Sequence, residues 1–190
     1  MPSILLSGPA AEPVTLAEAK QFIRVEHDDD DDVITALIAG ARIHIETLTR
    51  RALITQTWRI VRDAWPENGR LALLPVPLVE LVAVRIWANG TTQTIDLAGF
   101  ALDSASAPAM LVFTRGTLMP PERPSAGIEI DMTCGYGDAA EDVPEPMRQA
   151  IRMLVAHWYE NRGMVTLGQE VATVAATVAA LIGPYRVLSL

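Results

Sequence analysis

The sequence predicts an α+β protein: a helical bundle core, made of two N-terminal helices and a long helix near residues 144–162, with a small antiparallel β domain inserted and a C-terminal arm. Three observations carry this. Residues 16–48 and 147–158 repeat apolar side chains at three-and-four spacing, the period of an amphipathic helix. Residues 53–133 change to short β-branched runs separated by prolines, glycines and the Asn89-Gly90 turn signal. Beyond residue 163 the chain becomes a valine-alanine segment closed by Gly183-Pro184. The expected division is N-terminal helices at 1–52, a β-rich insertion at 53–137, a core helix at 138–163, and a C-terminal helix with an arm at 164–190.

Residues 2–12 read as an extended arm, and Thr15 with Glu18 reads as a capping box that starts a first helix over 16–25. Its buried side is Leu16, Ala19, Phe22 and Ile23. Asp28, Asp29, Asp30, Asp31 and Asp32 precede a second stripe of Val33, Ile34, Leu37, Ile38, Ala41, Ile45 and Leu48. Aspartates in that place cap a helix and complement its N-terminal dipole, while Arg50 and Arg51 balance the other end. The run lacks the alternating spacing and turn glycine of a calcium loop, so a metal site there is the alternative reading.

Strands are expected over 53–62, 71–74, 78–87, 91–95, 100–103, 109–114 and 128–133. The Gly135-Tyr136-Gly137 turn then leads to a helix opened by Pro144 and Pro146. Met147, Ala150, Ile151, Leu154, Val155 and Trp158 form its apolar stripe, and Gly163 stands at its left-handed C-terminal cap. In the tail, Glu170 begins a helix with Val171, Val174, Val178 and Leu181 or Ile182 on one face. That helix either packs on its own domain or reaches a neighbouring subunit. Residues 185–190 read as a free terminal strand, able to add to another protein's sheet edge.

At 190 residues, half of them hydrophobic, the chain can bury a core of its own. A net charge of -8 argues against a protein that coats duplex nucleic acid, because phosphate affinity rests on clustered Lys and Arg. One cysteine, Cys134, excludes an internal disulfide and fits synthesis in the cytosol. No secretory signal or membrane-length apolar run is visible. His27, His44 and His157 show no metal-ligand spacing, and nothing around Cys134 marks a nucleophile. Glu141 and Asp142 lie in a loop without apolar surroundings to raise a pKa. No catalytic, cofactor or metal site is expected.

Gly135-Tyr136-Gly137, a short acidic loop, Val143-Pro144, and then Ala150-Ile151, Leu154, His157, Tyr159 and Arg162 resemble the head-tail connector (adaptor) proteins of tailed bacteriophages and gene transfer agents. Residues 13–58 and the terminal PYRVLSL add to the resemblance, which covers somewhat over half the chain. It implies a structural subunit in a ring, typically of twelve, beneath the portal of a phage or phage-like particle. The ring would continue the DNA channel, with only passing DNA contact, and dock a tail-side stopper on its other face. Helix two and the Pro144 helix would supply the subunit core and ring contacts. Tyr185, Arg186, Val187 and Leu188 would bind the portal. The protein would be made in the bacterial cytoplasm and work at the head-tail interface. A tail-side stopper or terminator is a second reading, though those are mainly β; a metal-binding module using the aspartate run is a third.

Overall fold

Runs of β-branched and aliphatic residues, too short for helices and cut by proline and glycine, fold into strands, while the three-and-four stripes fold into helices. The computed structural model describes residues 3–114, 116, 118–161 and 170–188. Arg162, Gly163 and the polar break at 166–169 lie outside them. In chain order the elements are β1 (Ser3–Ser7), α1 (Leu16–Ile23), α2 (Asp31–Thr49), β2 (Gln56–Arg62), β3 (Arg70–Leu73), β4 (Leu78–Ala88), β5 (Thr91–Ile95), β6 (Phe100–Asp103), β7 (Ala109–Phe113), β8 (Ile128–Cys134), α3 (Glu145–Glu160) and α4 (Glu170–Ile182). They fall into two units, Met1–Pro9 with Thr55–Gly135, and Ala10–Ile54 with Tyr136–Leu190.

The first unit is all β. One sheet has the order β1-β2-β8-β4-β5 and the other β3-β7-β6, every neighbouring pair antiparallel. Alternation along the strands sends Ile60, Val84, Ile128, Ile130 and Met132 of the first sheet into one core with Leu71, Leu73 and Leu111 of the second. The expected antiparallel β domain thus consists of two sheets. The expected N-terminal arm is also corrected: residues 3–7 form an edge strand, with Ile4 opposite Arg59 and Leu5 opposite Trp58. SILLS has no period-two pattern to announce it, and its partner lies some fifty residues away.

On the opposite face of the five-stranded sheet sits Asp131, whose side chain is only 6% exposed. Arg59 grips both its oxygens from β2, at 2.7 and 2.9 Å, and Arg85 reaches it from β4 at 2.6 Å. Burial alone would raise the Asp131 carboxyl, but the hydrogen bonds and charges of the two arginines outweigh it and hold the group below the usual carboxylate range.

The second unit is helical. Ile34, Ile38, Ala41 and Ile45 of α2 meet Met147, Ala150, Ile151, Leu154 and Val155 of α3, with Ala19 of α1 and Val178 and Ile182 of α4. The Thr15–Glu18 capping box forms: Glu18 N–H donates to Thr15 Oγ1 at 3.2 Å and Thr15 N–H to Glu18 Oε2 at 2.9 Å. Arg148 ties α3 to this start by donating to Glu18 Oε1 at 2.6 Å and to the Pro13 carbonyl at 2.9 Å. Both N-terminal helices end in a left-handed arginine, Arg24 (φ 58°) and Arg50 (φ 57°), where sequence offers no glycine. Gly137 is required by space, because a Cβ there would collide with the Asp142 carboxylate.

Candidate assembly surface

The C-terminal segment is built onto the end of α2. A helix leaves its last carbonyls without partners inside the helix. At Thr49 that need is met from far along the chain, since Val187 N–H donates to the Thr49 carbonyl at 3.1 Å. Arg51, turned back by the left-handed Arg50, donates from Nε to the Tyr185 carbonyl at 2.6 Å, and its guanidinium lies 5.8 Å from the centre of the Tyr136 ring. Burial pushes the Tyr136 phenol up, and Arg51 partly offsets this through its charge and a hydrogen bond.

The four residues expected to bind a portal are therefore adjacent but unequal. Tyr185 ends a single 3-10 turn, Gly183–Tyr185, and packs on the helical core; Val187 is buried. Arg186 is exposed, and Leu188 is 84% exposed. The free terminal strand read from the sequence is corrected: the segment is extended only after the turn, and it is anchored to its own unit. An apolar character that sequence reasoning took for availability is half spent on the fold.

Other apolar surface lies on β1, at Ile4, Leu5 and Leu6, and on α2, at Ile43 and Leu48. On α4, Ala175, Ala176, Ala179 and Ala180 are exposed beyond the Val178–Ile182 stripe that its own unit buries.

The aspartate run is occupied by the protein's own groups. Lys20 Nζ donates to Asp28 at 2.6 Å and to Asp31 at 2.7 Å, and Tyr159 donates to Asp30 at 2.5 Å. Asp30 holds the N-cap position but its side chain makes no capping hydrogen bond, which corrects the capping detail, while Asp31 and Asp32 lie in the first turn as the dipole favours. Among the described residues no three His, Cys, Asp or Glu side chains gather as metal ligands. Nor does any described helix have the length and apolarity to cross a membrane.

The histidines do not converge with Cys134. His27 neighbours Asp29 at 3.8 Å in an exposed loop. His44 meets the Trp158 ring edge-on at 6.0 Å, and His157 lines the same apolar groove with Asn161 Nδ2 3.1 Å from its Nδ1. Cys134 is buried in the β unit, its Sγ 3.8 Å from the Gln56 carbonyl. Sequence reasoning missed Arg51 as an anchor, because an arginine after a helix end reads first as dipole compensation. It also missed Asp131, whose partners become neighbours only through strand register.

Residues 13–91 match the family described as "Phage gp6-like head-tail connector protein". Among solved structures the chain is similar to one in the neck of an empty gene transfer agent particle computed with C6 symmetry, with TM-score 0.82 and 25% identity over 100% of this chain and 97% of that one. It is similar in fold to a chain in the virion of a native gene transfer agent particle (TM-score 0.81, 23% identity) and to one in the native neck computed with C12 symmetry (TM-score 0.80, 24% identity), with the same coverage. No curated protein sequence matches. The chain thus matches a head-tail connector family over residues 13–91 and is similar, along its whole length, to chains in the necks of gene transfer agent particles.

Proposed function

We propose that this chain is a structural head-tail connector subunit of a phage-like particle, forming a ring beneath the portal that continues the DNA channel and receives the tail-side components. The observation that carries the reading is coverage: the neck likeness takes in all of this chain and 97% of its counterpart. A closed ring fits the C6 and C12 symmetries of the similar necks, and twelve copies is the number we adopt. The acidic balance of -8 suits a conduit, because each phosphate neutralised by a subunit would add affinity that retards DNA passage. In this reading the subunit acts without catalysis, its partners being the portal, the tail-side stopper and further copies of itself.

The portal-facing surface is the end of the C-terminal segment. Tyr185 and Val187 serve as anchors within the subunit, and Arg186 and Leu188 as the outward contacts. Electron microscopy of the purified chain, alone and with the portal protein of its particle, tests this. A ring coaxial with the portal is the expected image; failure of the two to associate at any ratio would remove the connector reading.

A further inference from the structure

Alternate residues of the C-terminal segment have opposite duties, and one side chain enforces the alternation. Tyr185 and Val187 turn into the helical unit, whereas Arg186 and Leu188 stay outside. The segment is fixed from below at two backbone points, Val187 N–H on the Thr49 carbonyl and the Tyr185 carbonyl on Arg51 Nε. Of the two, only the second depends on a side chain. Arg51 can make this bond while also meeting the Tyr136 side chain because a guanidinium presents several N–H donors in a rigid planar fork, which a point-like ammonium does not.

We propose that Arg51 is the positioning residue of the portal-binding segment: it holds the segment in a presented form in which Arg186 and Leu188 make the contact together. The portal surface that fits them has an apolar socket beside a carboxylate. This rests on the connector reading. A free strand gives up backbone freedom on docking, and a segment already fixed on its own subunit does not. Charge points the same way, since Arg186 is an exposed cation on a chain of net charge -8, and no carboxylate among the described residues forms an ion pair with it. Leu188, two residues on, is the most exposed large hydrophobic among the described residues.

The test compares full-length wild type, Arg51→Ala, Arg51→Lys and Leu188→Asp for binding to immobilised portal and for amide exchange at Val187. Arg51→Ala should keep its helix content, exchange faster at Val187, and bind about tenfold more weakly, the loss expected when the presented form falls to a tenth of the population. Arg51→Lys should fail to restore wild-type binding, and Leu188→Asp should lose binding while Val187 exchange stays slow. Unchanged or tighter binding by Arg51→Ala, with Leu188→Asp still defective, would overturn the positioning role and leave the connector reading standing. Full binding by both variants would overturn the positioning role and the C-terminal segment as the contact while leaving the connector reading standing; no binding by wild type would overturn the connector reading as well. Should Arg51→Ala not fold, Tyr136→Leu removes both the ring and the hydroxyl that Arg51 meets and is judged by the same outcomes.

Discussion

Each unit buries one charge between two partners of opposite sign, and the two arrangements are mirror images. In the β unit a carboxylate, Asp131, lies between the guanidinium groups of Arg59 and Arg85. In the helical unit a guanidinium, Arg42, lies between the carboxylates of Glu12 and Glu46, both at 2.8 Å. The β centre draws on three adjacent strands, so it exists only when the register is right. The helical centre is half local, because Arg42 and Glu46 are one turn apart on α2. A charge that depends on register locks a sheet; one that depends on helical spacing mostly trims an element that packing already holds.

The largest loss is expected from placing a charge where neither unit can compensate it. Leu154→Asp puts a carboxylate into the α2–α3 core, where Leu154 is 6% exposed. An uncompensated buried charge costs about 3–5 kcal/mol or more against a total stability of roughly 5–15, so this variant should lose its helical circular dichroism or fail to express in soluble form. A cooperative thermal transition like that of wild type would show that the stripe is not buried.

Next comes the β centre. Asp131→Ala removes the carboxylate that Arg59 and Arg85 share, and chemical denaturation should show a loss of roughly 2–4 kcal/mol, somewhat reduced because Arg59 keeps Glu129 at 3.0 Å and both arginines keep contact with water. Its pH dependence follows from the depressed carboxyl. The contribution of ionised Asp131 is complete above the unfolded carboxyl's ordinary pKa of about 3.9 and is lost as pH falls through the lower folded value. Wild type should therefore hold its β-unit stability at pH 5 and lose part of it below about pH 4, whereas Asp131→Asn should flatten that slope.

Arg42→Ala sharpens the contrast. Water can reach Glu12, whose side chain is 28% exposed, so the loss should be nearer about 2 kcal/mol and smaller than at Asp131. Equal losses would mean that register adds nothing. Removing residues 185–190 strips Val187 from its buried site and leaves the Thr49 carbonyl without its donor, for an expected cost of about 1–2 kcal/mol in the helical unit alone. Thr15→Ala, which breaks the capping box on α1, should cost about 1 kcal/mol by thermal melting.

Legibility follows the same division between local and non-local order. The three-and-four stripes led directly to α2 and α3, and the capping box to the start of α1, because each signal lies within a few residues of its effect. Asn89-Gly90 and the flanking runs likewise marked the hairpin of β4 and β5. β1 was illegible, since an uncharged pentapeptide becomes a strand only when β2 offers an edge. The left-handed Arg24 and Arg50 were illegible because only glycine announces that conformation. At the candidate surface the sequence singled out residues 185–188 by their apolarity, yet which of them face inward is decided by Thr49 and Arg51, more than 130 residues earlier.

If this chain joins heads to tails, as proposed, assembly without it stops at that junction. Particles made without the chain should accumulate as filled heads and separate tails in electron micrographs, and adding the purified protein should join them. Tailed, DNA-delivering particles formed in its absence would contradict the account.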